Sequence, residues 1–273
     1  MSESIDASDA SVEELAGHFD LYDPQHSTRL WEVLHYAQGS CPVMKTDADD
    51  GYFVITTYDD LRRVTEDPET FSSIEAGLRG VPIPMPPLTV DPPVQTEYRR
   101  QLNPFLSRSF LSRYEPVVRQ IAADALDKLV PQGRMEFMHD FAIPVTSANL
   151  ARVILDDDNR ARIDRAIDVA TQISSVGAPE AFFEMQQIAQ ELLTERAASS
   201  SDRQDVLSAI VNGTVDGRPL TMEEKIGATT ILFTGGLDTT KAAMGNIVHR
   251  LTADPSLEAR LRNPDWIRTD LDE

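Results

Sequence analysis

The sequence predicts a mainly α-helical fold with a small β-hairpin or sheet near the N-terminus. Three observations predict it. Apolar residues recur at helical spacing through most of residues 94–253; β-forming residues flank a glycine turn at 42–58; and a proline-rich segment separates these two kinds of sequence.

The elements follow in order. Residues 1–19 are acidic and lack a basic-then-apolar signal pattern, which predicts a flexible, solvated leader. "PQHSTRLWEVLHYAQG" predicts an amphipathic helix with Leu30, Trp31, Leu34 and Ala37 on one side and Gly39 as its stop. "PVMKT" and "YFVITTY" flank "DADDG", a hairpin signal with Gly51 in the turn. "YDDLRRVTEDP" predicts a short helix that starts at an Asp cap and ends before Pro68. Six prolines between 82 and 93 forbid a regular element and predict a stiff, extended connector.

Beyond them, helices are expected at about 94–106, 111–130, 141–156, 160–172, 180–198 and 202–211, then a polar turn or small hairpin at "NGTVDGRP". The last element is a single helix of about 30 residues, near 45 Å long by the standard rise. Thr221 and Glu224 form a capping box at its start, and Pro255 follows its end. Ile226, Thr230, Phe233, Leu237, Met244, Ile247 and Leu251 fall on one face of it.

Composition excludes several functions. With 41% apolar residues, 7% aromatic and 26% charged, the profile is that of an ordinary globular protein. No stretch of 18 apolar residues exists, so no membrane span and no membrane partner are expected, and the location expected is cytoplasmic. The net charge of −20 argues against a nucleic-acid partner, because phosphate binding needs clustered Lys and Arg. One basic island interrupts the acidity: Arg99, Arg100, Arg108, Arg113 and Arg119 stand against only Asp91, Glu97 and Glu115. Taken alone, the island reads as a solvated helix face. The single cysteine, Cys41, excludes an internal disulfide and reads as a partly buried structural thiol before Pro42. The five histidines are scattered without metal-ligand spacing.

The centre of the long helix, "FTGGLDTTKAAM" at 233–244, is the unusual stretch. Each helix-interior glycine costs about 1 kcal/mol against alanine, so a pair followed by Asp238 and Thr239 implies a need for bare backbone there. The alternative is a tolerated glycine pair with a threonine hydroxyl bonding back onto its own helix.

"GGLDTT" in a long helix, together with "DPPVQTEYRRQLNPFLS" after a proline-rich loop, resembles the cytochrome P-450 family of haem-thiolate monooxygenases. "GYFVITTYDDLRRVTEDPETFSS" is similar to the early hairpin and helix of its soluble bacterial members. The resemblance runs from about residue 20 to the end and implies an incomplete domain of that family over 20–273. It implies haem as cofactor, dioxygen as co-substrate and a ferredoxin or flavin protein as electron donor. By the same resemblance, Gly235 and Gly236 let the backbone approach haem and dioxygen. Asp238 and Thr239 match the family's acid–alcohol pair, in which a hydroxyl orders water beside bound dioxygen and a carboxylate relays protons from solvent. Arg99 matches an arginine that pairs with a haem propionate. Gln95 stands where many relatives carry a histidine for the same group. Ile83, Met85 and Leu88 from the proline loop, with Ile231 and Thr234, are the candidate substrate contacts, and they imply a small or medium apolar substrate; the loop side chains could equally be core. Arg100, Arg108 and Arg113 are expected to receive the donor.

The sequence also departs from the family. The family's iron-ligand cysteine belongs to a phenylalanine- and glycine-bearing loop beyond the long helix, and nothing here matches it; Cys41 lies in the wrong element. The Glu-x-x-Arg helix is likewise missing, with Glu273 about where its glutamate would be. The expectation is therefore a monooxygenase as the parent protein and no oxygenase activity in these 273 residues alone. Two further readings are a non-enzymatic helical remnant binding apolar ligands or a protein partner, and an unrelated helical regulator.

Overall fold

The computed structural model describes residues 9–21, 23–74, 84–156, 159–176, 179–199 and 203–263, in two units, Met1–Ser72 and Ser73–Glu273. The first unit begins with a helix where a loose leader is expected. Ser11 and Glu14 form a capping box on α1 (Val12–Gly17), and Leu15, Ala16 and Phe19 are buried. A Ser-x-x-Glu box ahead of an apolar pair is itself a helix-start signal, and burial of Leu15 and Phe19 holds the segment down.

The expected helix at 24–39 is split into α2 (Pro24–Ser27) and α3 (Leu30–Ser40). The buried side of α3 is Val33 and Ala37, four residues apart, while Trp31 is 71% exposed and Gly39 lies inside the helix. The hairpin forms as expected: β1 (Val43–Thr46) pairs antiparallel with β2 (Tyr52–Ile55), Met44 opposite Val54, and Gly51 sits in the turn at φ 90°. Its Thr46 and Tyr52 hydroxyls both donate to the Phe19 carbonyl, at 3.0 and 2.8 Å. Met44 joins Leu15, Ala16, Phe19, Val33 and Ala37 in the unit's core. The next helix, α4 (Tyr58–Glu66), starts after Thr57 rather than at an Asp, and the Thr57 hydroxyl donates to Asp60 at 2.6 Å.

The second unit is helical. Residues 84–93 turn sharply instead of running extended. The Leu88 and Thr89 amides donate to the Met85 carbonyl at 2.8 and 3.2 Å, and the Met85 amide donates to the Thr89 hydroxyl at 2.7 Å. α5 (Val94–Leu106), α6 (Arg108–Leu111) and α7 (Glu115–Leu129) follow. α8 (Ile143–Asn149) continues at both ends into wide π-type turns, Phe137–Ala142 and Leu150–Leu155, one of them meeting Pro144, which has no amide to donate. α9 (Arg160–Val176) and α10 (Pro179–Ala198) precede the short α11 (Val206–Val211).

A two-stranded hairpin, β3 (Thr214–Val215) with β4 (Arg218–Pro219), leads into the 32-residue α12 (Met222–Ala253), and α13 (Pro255–Leu261) closes the described chain. α10 lies at the centre of the core: Met185, Ile188, Ala189, Leu192 and Leu193 pack with Leu150, Val169, Leu207, Phe233 and Leu237. Among the described residues, no helix is long and apolar enough to cross a membrane.

Candidate functional site

The two halves of α12 differ in surroundings. Gly227, Ala228, Thr229, Thr230, Phe233 and Leu237 are buried, whereas Gly235, Thr239, Thr240, Ala242, Ala243 and Asn246 are exposed. Ile247, expected on the buried face, is 57% exposed. Gly235, Thr239, Ala242 and Asn246 follow at spacings of four, three and four, so they share one open face of small side chains.

The glycine pair serves two directions. A Cβ at Gly236 would stand 2.7 Å from Leu150 Cδ1, so this glycine lets α12 approach the turn after α8. A Cβ at Gly235 would meet nothing within 4 Å. Thr239 donates its hydroxyl to the Gly235 carbonyl at 2.7 Å. Beside it, Asp238 Oδ1 lies 3.1 Å from Lys241 Nζ; the carboxylate side chain is 49% exposed and the lysine 13%. Lys241 was not foreseen from the sequence, although its spacing of three from Asp238 is that of a helical ion pair.

Gly227 is a second position that sequence reasoning missed. Its missing Cβ leaves room for the Pro84 carbonyl oxygen, which a side-chain atom there would strike, and Pro86 Cδ would stand 3.2 Å from it. The proline loop therefore crosses α12 at Gly227, backbone against backbone. Of the loop's candidate substrate contacts, Met85 is 1% exposed and Leu88 43%, while Ile83 lies outside the described residues. Ile231 and Thr234 are half-buried on α12, and the Thr234 hydroxyl is 3.3 Å from both the Thr230 and Ile231 carbonyls.

Arg99 and Gln95 sit on α5. Arg99 is exposed and makes no ion pair or hydrogen bond among the described residues. The two acids nearest to it in sequence are engaged elsewhere: Asp91 accepts from the Ser73 amide at 2.7 Å, and Glu97 from the Asp216 amide at 2.9 Å. Gln95 is half-buried. In the rest of the basic island, the Arg113 guanidinium stacks 3.6 Å from the Phe110 ring centroid and 4.9 Å from that of Tyr114, and Arg119 pairs with Glu115 at 2.9 Å.

A polar strap ties α5 to the start of α12 through the β3–β4 hairpin. Gln101 both donates to and accepts from Thr214 backbone, at 2.7 and 2.9 Å. Arg218 grips Glu224 with two bonds of 2.8 and 2.7 Å, and Glu224 also accepts from the Thr221 amide at 2.7 Å. The Arg218 guanidinium holds the Glu224 carboxyl well down, to about 2. Burial, and next to it the Glu224 charge, pushes the Tyr98 phenol up to about 12.

These residues fit part of a haem. The exposed Gly235 and Thr239 set no bulky side chain against a flat apolar group, and Arg99, which makes no ion pair or hydrogen bond among the described residues, suits a carboxylate. These residues include no thiol; the chain's single cysteine, Cys41, expected to be partly buried, is exposed in the first unit with its thiol 3.4 Å from the Val43 carbonyl.

Comparison with known proteins bears on the family and the fold. A family model described as Cytochrome P450 matches residues 177–264. The chain is 31% identical over 219 residues to the "Probable cytochrome P450 127A1" of Sinorhizobium fredii, a match covering 78% of this chain and 52% of that protein. It is 25% identical over 278 residues to the "Linalool 8-monooxygenase" of Pseudomonas putida, covering 92% and 67%. The truncated structure of the bottromycin biosynthetic protein SalCYP shares the fold, with a TM-score of 0.78 at 22% identity, over 92% of this chain and 66% of that one. The chain thus spans about half to two thirds of the length of these relatives.

Proposed function

We propose, for a chain that belongs to the cytochrome P450 family, that it supplies the distal and propionate-binding parts of a haem-dependent monooxygenase acting on a small or medium apolar substrate. The observation that carries the reading is the open face of α12, where a Cβ at Gly235 would meet no described residue within 4 Å beyond its own helix and Thr239 follows Asp238 in the chain.

Bound haem supplies an iron centre that binds and activates dioxygen. The chain's own residues do the rest. Arg99, without an ion pair or hydrogen bond among the described residues, holds a propionate with a charge-assisted fork, and Gln95 adds a neutral hydrogen bond. Gly235 keeps the backbone bare where the cofactor lies. The Thr239 hydroxyl, anchored on the Gly235 carbonyl, keeps lone pairs for an ordered water. Asp238, held at the helix surface by Lys241, exchanges protons with solvent and passes them to that water. Ile231, Thr234 and Leu88 present small or apolar surface to substrate; a relative whose name gives linalool as what it oxygenates supports an apolar class. Ile83 and Met85 complete that set from the loop, the buried Met85 by shaping it from behind. Against a net charge of −20, the exposed Arg100, with Arg108 and the ring-stacked Arg113, orients an acidic ferredoxin or flavin donor.

The test is product formed per NADH oxidised by the protein that carries this chain. Thr239→Ala is expected to lower that ratio by at least about tenfold, with hydrogen peroxide in place of product. An unchanged ratio removes Thr239 from the mechanism. Run at low and high salt with Arg100, Arg108 and Arg113 changed to glutamine, the same assay reads the donor. Rates indifferent to both would leave the island a solvated face.

A further inference from the structure

An open cavity in the second unit is lined by no residue of α12. It has a volume of about 750 Å³ and runs between the α8 segment and α9. Its floor is apolar: Ile143, Pro144, Ala148 and Ala151 on one side, Ile163 and Ile167 on the other. Ile143, Ile163 and Ile167 are half-buried and belong to no core cluster. Its rim is polar, with Arg152 and Arg160 next to the connection between the two helices and His139 and Gln172 at the far end. From His139 to Arg152 the groove follows 13 residues of helix, about 20 Å by the standard rise.

The charges along it are uneven. Arg152 is exposed and makes no ion pair or hydrogen bond among the described residues. Arg160, beside it on the rim, is paired with Asp164 at 2.8 Å. The acid on the rim, Asp168, sits two helical turns beyond Arg160, toward the far end. Among the described residues lining the groove, Asp168 is the one acid and lies toward the far end, so a ligand with one anionic head would find its counter-charge at the Arg152 end. The volume is within the range of small-molecule sites, which are largely apolar with a few fixed polar groups.

We propose that this groove is a second ligand site, distinct from the haem face, which takes an amphipathic monocarboxylate with its carboxylate on Arg152 and its chain over Ile143, Ile163 and Ile167. It does not depend on the monooxygenase reading. Burying such a chain removes apolar area from both partners, and the guanidinium supplies a planar fork for the head group.

Calorimetric titration of the full chain with dodecanoate, dodecan-1-ol and dodecylammonium, each below its micelle concentration, tests it. Dodecanoate is expected to bind saturably at one per chain. Arg152→Gln should weaken dodecanoate by roughly tenfold, the loss of one charge-assisted hydrogen bond, and leave dodecanol unchanged. Ala148→Phe, which fills the groove, should weaken both. Circular dichroism shows that each variant is folded; should Ala148→Phe fail this, Ile163→Ser takes its place. Dodecanoate binding indifferent to Arg152→Gln and to the filled groove would overturn the proposal. So would the absence of saturable binding, tighter binding of dodecylammonium, or loss of binding through Ile231→Asn on α12 alone.

Discussion

Gly227, Gly235 and Gly236 all lie inside α12, yet alanine should do something different at each. At Gly227 the added carbon would strike the Pro84 carbonyl oxygen, a backbone atom that cannot turn aside. Overpacking of this kind costs about 1–3 kcal/mol. At Gly235 nothing lies within 4 Å, so the helical preference for alanine acts unopposed and contributes about 0.5–1 kcal/mol. Gly236 falls between them, because Leu150 Cδ1 is the end of a flexible side chain. Thermal unfolding should therefore show Gly227→Ala less stable and Gly235→Ala more stable than the parent; equal losses at both would contradict the open face. "GGLDTT" shows in the sequence that something needs bare backbone. It does not show that Gly236 serves Leu150 while Gly235 serves open space, since that depends on which helix packs where. Gly227 stayed hidden for the same reason, its partner being in the proline loop. Lys241 was also missed, although its spacing of three from Asp238 carried a local signal.

At the scale of elements, the hairpin before α12 is bound at both sides by side chains. Thr221 and Glu224 were readable as a capping box, and both of its hydrogen bonds are present. The Arg218 grip on Glu224 and the Tyr98 phenol beneath it were not, because they join segments distant in sequence. The strap has a pH signature. Glu224 in the folded chain titrates at about 2 against an ordinary 4.5, so its pKa is depressed. The folded state thus binds fewer protons than the unfolded state between those values. The stabilisation is complete above about 4.5 and disappears as pH falls through about 2. Denaturant unfolding should find Glu224→Gln less stable than the parent at neutral pH, with the gap closing across that window. A gap that stays constant down to pH 2 would show that the carboxylate charge is not what stabilises the strap. Element boundaries were less legible than element types. α11 starts at Val206 rather than near 202 because Asp205 both caps it and pairs with the buried Arg196 at 2.5 Å. The Ser11–Glu14 box gave a local signal for α1, but the acidic composition around it pointed toward a solvated leader.

At the scale of the whole molecule, the helical class and the early hairpin were readable because both rest on local periodicity. The division into units at Ser72 was not, since contacts decide it. Neither was the exposure of the second half of α12, whose apolar periodicity continues past Met244 although Ile247 is 57% exposed. The proposed function joins that exposed face to Arg99 on α5, which makes no ion pair or hydrogen bond among the described residues: Gly235 and Arg99 are proposed to receive one haem together. Haem titration followed by Soret absorbance tests this most directly, comparing the parent with Arg99→Gln and with Gly235→Phe. Saturation is expected at one haem per chain. The affinity is expected to be about ten- to a hundredfold weaker for Arg99→Gln, the worth of a lost charge-assisted hydrogen bond, with little binding to Gly235→Phe. Equal haem binding by all three proteins would contradict the proposed function.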